Sequence, residues 1–144
     1  MRVSRLARLT FLLALLSLPL VAGAHDVVVI VNAHSPIRGL TRDQVIDIFM
    51  GRLRQFPTGA AALPIDVSDP PVRQAFYERL VHKDLAEIGS HWARLVFSGE
   101  TSPPFRASDS RTALKLVATN PDAIAYCYRS AVTPRVKVVL DLKP

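Results

Sequence analysis

The period of the hydrophobic positions changes several times along the chain, and each change marks an element. Val27 to Val31 is an unbroken β-branched run, the pattern of a strand covered on both faces. Asn32 to Gly39 reads as a loop containing Ser35-Pro36. Leu40 to Gly51 then spells a short helix with every position accounted for. Thr41 is the N-cap, Gln44 completes a capping box three residues on, and Leu40 and Val45 have the spacing of a hydrophobic staple. Val45, Ile46, Ile48, Phe49 and Met50 fall on one broad apolar face, and Gly51 supplies the left-handed stop.

A second loop, Arg52 to Ala62, carries Pro57 and Gly59, and Leu63 to Val67 reads as another short strand despite Pro64. Asp69-Pro70-Pro71 opens a second helix, because proline in the first turn lacks an N–H that would have no partner anyway. Val72, Ala75, Phe76 and Leu80 recur at helical spacing behind it. Asp84 and Glu87 form a second capping box, followed by an apolar stripe of Leu85, Ile88, Trp92, Leu95 and Val96 that ends at Ser98-Gly99. Glu100 to Ala107 is expected to be loop. Ser108 is expected to cap a fourth helix bearing Ala113, Leu114 and Val117, which Asn120-Pro121 stops. Ile124 to Tyr128 and Val136 to Leu140 are the last strands. Strands alternate with helices, with two helices in succession in the middle, so the fold class is α/β in three layers.

The N-terminus changes the picture of charge. Arg2, Arg5 and Arg8 precede an apolar run from Leu9 to Val21, and Ala22-Gly23-Ala24 is a small-residue cleavage signal. The run is shorter than the ~20 residues that span a bilayer. Residues 1–24 are therefore expected to be a signal peptide cut before His25, with 25–144 forming one exported, periplasmic domain. Without the three arginines the formal net charge falls from +6 to +3. The remaining cations are scattered among acids rather than gathered with stacking aromatics, which argues against nucleic acid as a partner. Cys127, the only cysteine, lies in an apolar run and reads as a small buried hydrophobe.

Three ordered motifs carry a resemblance. They are Leu40-Thr41-x-x-Gln44-Val45-x-Asp47-Ile48-Phe49-x-Gly51, His91-Trp92-x-Arg94-Leu95-x-Phe97-Ser98-Gly99 and Asp122-Ala123-Ile124-Ala125-Tyr126. Together they resemble the phosphate-binding, type 2 periplasmic solute-binding proteins of ABC transporters, from Val27 to near Tyr128. The resemblance implies one α/β/α lobe of a fold that normally has two, with ligand in the cleft between them. It also implies phosphate or another small anion as ligand and a membrane transporter component as partner. In that family the corresponding lobe offers an Arg at a strand end and Ser-Gly-Thr at a helix N-terminus, where backbone N–H groups hold the anion. Here Asp66 stands at the Arg position and Pro70-Pro71-Val72 at the Ser-Gly-Thr positions. Proline removes two N–H donors, and Asp66 and Asp69 place negative charge where an anion would approach.

Ser68, Arg73 and Ser108 are the anion-binding candidates that remain, with Arg38 and Ser35 in the first loop as a further pair. Ordinary helix capping and a surface arginine would explain the same residues without a ligand. His25 is the one metal candidate, since cleavage before it would join an α-amine to an imidazole, a donor pair suited to copper. No cofactor is expected. No Gly-x-Ser-x-Gly, phosphate loop or His-Glu-x-x-His is present, which argues against an enzyme. Two classes of function stay open: solute binding, with two copies able to rebuild a cleft as a homodimer, and a ligand-less module docking on a membrane receptor, sensor or transporter.

Overall fold

A computed structural model describes residues 25–144, so the expected signal peptide lies outside the described residues. The β-branched run becomes β1 (Val27–Asn32), and all six of its residues are buried. A strand buried on both faces has to lie inside a sheet, and β1 pairs antiparallel with β4 (Ala123–Tyr128) on one side and β5 (Val136–Leu142) on the other. The parallel strands β2 (Leu63–Val67) and β3 (Phe105–Ala107) complete a five-stranded mixed sheet in the order β3-β2-β4-β1-β5.

Four helices cover the sheet: α1 (Arg42–Phe49), α2 (Pro70–Val81), α3 (Leu85–Ser98) and α4 (Ser110–Thr119). The register sorts them into two layers. Tyr126 of β4 stacks on Phe76 of α2 and lies against Phe49 of α1, and Val29 of β1 is its partner across the ladder. Asn32 is three residues beyond Val29 and so faces the other side. There its Nδ2 donates to the carbonyls of Val117 and Ala118 at the end of α4. α1 and α2 therefore cover one face and α4 the other, the α/β/α arrangement expected. α3 packs outside, against α2. No described helix is long and apolar enough to cross a membrane.

Both capping boxes form as read. Thr41 accepts from the Gln44 N–H while Gln44 Oε1 accepts from the Thr41 N–H, and Asp84 and Glu87 do the same at the start of α3. Two local readings are corrected. Phe105–Ala107, expected as loop, is an edge strand paired with β2. It holds three residues with only Ala107 buried, so it carries no alternation to betray it. Ser108 does not cap α4. Asp109 does, accepting from the Thr112 N–H at 2.7 Å, while Ser108 Oγ meets Thr112 Oγ1. The carboxylate is one residue nearer the helix and the stronger acceptor, and this contact lowers the Asp109 pKa.

Gly51 has φ +81°, and a Cβ there would stand 2.7 Å from the Trp92 ring and 2.8 Å from the Thr101 methyl. Gly51→Ala therefore combines left-handed strain with overlap and is expected to cost about 2–3 kcal/mol in urea unfolding. Gly59 has the same backbone hand, φ +84°, in open space. Gly59→Ala is expected to cost only about 1 kcal/mol, so the difference between the two isolates the clash.

Candidate functional site

The charged centre of the domain is Asp66. Asp66 of β2 bonds Arg73 of α2, so it points into the layer beneath α2, and its neighbours Ile65 and Val67 face the other side of the sheet. It is 2% exposed, and both its oxygens are used. Oδ2 accepts from Arg73 Nε at 2.8 Å and from Arg106 Nη2 at 3.5 Å. Oδ1 accepts from the Tyr126 hydroxyl and from the Val67 N–H, the latter at 3.0 Å. Four elements thus meet at one carboxylate: β2, α2, β3 and β4.

Arg73 is not the surface residue that its type suggests. Its side chain is 11% exposed, because Arg73, Phe76, Tyr77 and Leu80 fall at i, i+3, i+4 and i+7, the spacing of the helix face turned toward the sheet. Burial alone would lower its pKa, but the hydrogen bond and charge of Asp66 outweigh burial and raise it. Its guanidinium lies 5.5 Å from the centre of the Tyr77 ring. Tyr77 and Tyr126 are both pushed up, first by burial and then by the negative charge of Asp66. Both phenols are therefore held as donors and not as bases. The Tyr77 hydroxyl is buried near Asp66 but outside full hydrogen-bond geometry. Stacking of Tyr126 on Phe76, at 3.7 Å between centroids and 6° between planes, fixes the phenol that reaches Asp66.

Sheet topology separates the anion-binding candidates into two groups. Val67 is opposite Ala107, and the Ser68 N–H donates to the Ala107 carbonyl, so Ser68 and Ser108 leave the sheet side by side, both exposed. Arg73 reaches the same strand through Asp66, two residues before Ser68. Ser35 and Arg38 follow β1, which runs against β4 while β2 runs with it. They therefore lie at the opposite end of the sheet. Ser35 is buried, with Oγ accepting from the Ile37 N–H and its carbonyl accepting from Lys137 Nζ, and Arg38 is exposed. The five residues do not form one constellation.

The α2 N-terminus offers little to an anion. Pro70 and Pro71 have no N–H, and the Arg73 N–H is already given to the Asp69 carbonyl, which leaves Val72. Asp69 occupies the N-cap position with no side-chain capping bond. Arg106 was missed in the sequence because it stands in the strand taken for loop, and Tyr77 because Val72 and Phe76 already accounted for the apolar stripe. The i, i+4 step from Arg73 to Tyr77 was the available signal for both helix residues.

Among the described residues no group of three His, Cys, Asp or Glu side chains is placed to hold a metal. His25 packs edge-on against Tyr128, with ring centroids 5.8 Å apart, and its carbonyl accepts from Arg79. Cys127 is fully buried, and burial pushes its thiol up to about 12. A thiol reagent added to the folded protein at neutral pH is expected to label Cys127 only as fast as the domain opens, and fully in denaturant.

The domain is an α/β/α lobe with a polar cluster toward the ends of its parallel strands. No protein-family model matches the chain, and comparison with curated proteins returns no match. Solved structures do match. A protein from Clostridium perfringens assigned as a phosphate ABC transporter substrate-binding protein, with bound phosphate, superimposes with a TM-score of 0.62 at 24% identity. The match covers 81% of this chain and 45% of that one. An ABC-type phosphate transport receptor from Vibrio cholerae gives 0.62 at 15% identity, covering 79% and 45%. A protein from Planctomyces limnophilus assigned as a phosphate binding protein gives 0.55 at 10%, covering 79% and 40%. The chain thus has the fold of phosphate-binding proteins and spans less than half the length of those it matches.

Proposed function

We propose that the chain is an extracytoplasmic, non-catalytic binding lobe of the solute-binding type that takes a small oxyanion weakly. The contact surface is the sheet end that exposes Ser68, Ser108 and the half-exposed guanidinium of Arg106, which reaches the Asp66 of the Asp66–Arg73 pair. The observation that supports it is the convergence of hydrogen-bond donors on one buried point of a fold shared with phosphate-binding proteins. Affinity is weak because Asp66 already uses both guanidiniums and the α2 N-terminus has been stripped of N–H groups by Pro70 and Pro71. Thermal unfolding with rising inorganic phosphate, at constant ionic strength, tests this. A stabilisation that grows with the logarithm of phosphate concentration is expected, reaching ≈ 2.7 kcal/mol at a hundred times the dissociation constant, and Arg106→Ala should remove it. No response to phosphate or sulfate, or a response unchanged by Arg106→Ala, sinks the reading.

A second reading, a module that docks on a membrane receptor, sensor or transporter component, is favoured by one observation. In the last turns of α3, Val96, which belongs to the apolar stripe read from the sequence, is 55% exposed, and its neighbour Phe97 is 95% exposed. The copper reading through His25 requires its α-amine to be freed by cleavage. A Cu²⁺ titration that is unaffected by His25→Ala would end it.

A further inference from the structure

The donors around Asp66 outnumber what one carboxylate needs. Its two oxygens already accept from Arg73, Arg106, Tyr126 and the Val67 N–H, about the four lone-pair sites a carboxylate offers. The buried Tyr77 hydroxyl is a fifth donor, near enough to Asp66 for that carboxylate to raise its pKa, but left outside full hydrogen-bond geometry. Its ring sits under the Arg73 guanidinium, and its ionisation responds to Asp66, Arg73 and Arg106, which places it in the same cluster. Folding does not call for such a cluster. A buried ion pair replaced by packed hydrophobic side chains is often as stable or more so. Two guanidiniums and two phenols, brought from α2, β3 and β4 to one point, have the composition of a seat for an oxyanion.

We propose that this cluster is an oxyanion seat which the chain fills with its own side chain. Asp66 is a built-in ligand, competing with a free carboxylate- or phosphate-class anion for the same donors. The proposal builds on the solute-binding reading and explains its weakness, but its test does not require the native chain to bind anything. Arg106, with its side chain 55% exposed, is the member of the seat that meets solvent, and Ser68 and Ser108 at the same sheet end are exposed as well. An anion entering there has to displace the Asp66 carboxylate or do without Arg73.

Asp66→Gly removes the carboxylate and vacates about the volume of formate or acetate. Its unfolding midpoint is to be compared in formate, acetate, phosphate and chloride at one ionic strength, beside the wild-type chain. The expected result is a low midpoint in chloride and a rise, growing with the logarithm of anion concentration, of at least about 5 °C above the wild-type response in one or more of the three oxyanions. Arg73→Ala in the Asp66→Gly background should abolish that rise. Asp66→Asn refills the seat with a neutral acceptor of the same size and should show no such response. If Asp66→Gly is unfolded in chloride, formate, acetate or phosphate must restore the folded near-ultraviolet circular dichroism. Midpoints that follow the wild type in every anion, or a chain that folds in none, overturn the proposal. A silent wild type with a rescued variant would instead sink only the solute-binding reading.

Discussion

Asp66→Ala is expected to lower the folding free energy by about 3–5 kcal/mol, a large part of the 5–15 kcal/mol typical of a domain. The loss does not come from the Coulomb attraction itself, which in a buried pair roughly offsets the cost of taking both charges out of water. It comes from what is left behind. Arg73, with its side chain 11% exposed, would keep its charge without a partner, and the buried Tyr126 hydroxyl would lose its acceptor, keeping only the Val67 N–H that donates to it at 3.2 Å. Arg106 is half-exposed and can turn to water, so it adds little. Urea unfolding followed by circular dichroism reads the change as a lowered midpoint with an unaltered slope. A loss under about 1 kcal/mol would mean that Arg73 finds solvent once released.

The second large effect is apolar. Phe76 is fully buried between Tyr126, on which it stacks, and the edges of Phe49 and Tyr77, with ring centroids 4.8 and 5.0 Å away. Phe76→Ala is expected to cost about 3–5 kcal/mol, transfer and cavity together. Because the ring also holds the phenol that donates to Asp66, its loss should weaken that polar contact too. Phe76→Ala and Tyr126→Phe are therefore expected to be less than additive, by about 0.5 kcal/mol or more. Phe76→Leu, which keeps most of the volume, should cost under about 1.5 kcal/mol. The same unfolding titration orders the three, and strict additivity would separate the aromatic stack from the charged centre.

Local patterns were legible where the determining residues are near in sequence. The capping boxes at Thr41 and Asp84, the buried run of β1, the proline start of α2 and the left-handed Gly51 and Gly99 each depend on neighbours within about four positions, and the structure keeps them all. The motifs at Leu40–Gly51, His91–Gly99 and Asp122–Tyr126 pointed to the right fold, which the superpositions show. What escaped depends on distant partners. β3 exists because β2 supplies its hydrogen bonds, not because Phe105-Arg106-Ala107 spells a strand. The separation of Ser35 and Arg38 from Ser68 and Ser108 follows from β1 running against β4, a matter of topology with no local signal.

Arg73 is the instructive case. Its residue type says surface, while its position, one turn before Phe76 and Tyr77, says interior. Position prevails because Asp66, opposite it on β2, supplies the charge that makes burial tolerable. Asp66 alone had looked like an obstacle to an anion, and Arg73 alone like a remnant of an anion site. Placed 2.8 Å apart, each accounts for the other.

The account turns on that coupling, and a double-mutant cycle measures it. Stabilities of the wild type, Asp66→Ala, Arg73→Ala and the double variant are to be determined under identical conditions. The double variant is expected to lie about 2–3 kcal/mol closer to the wild type than the sum of the single losses, since removing both partners leaves no unpaired charge. Additive losses would contradict it, showing that Asp66 and Arg73 are neighbours whose contact carries no energy.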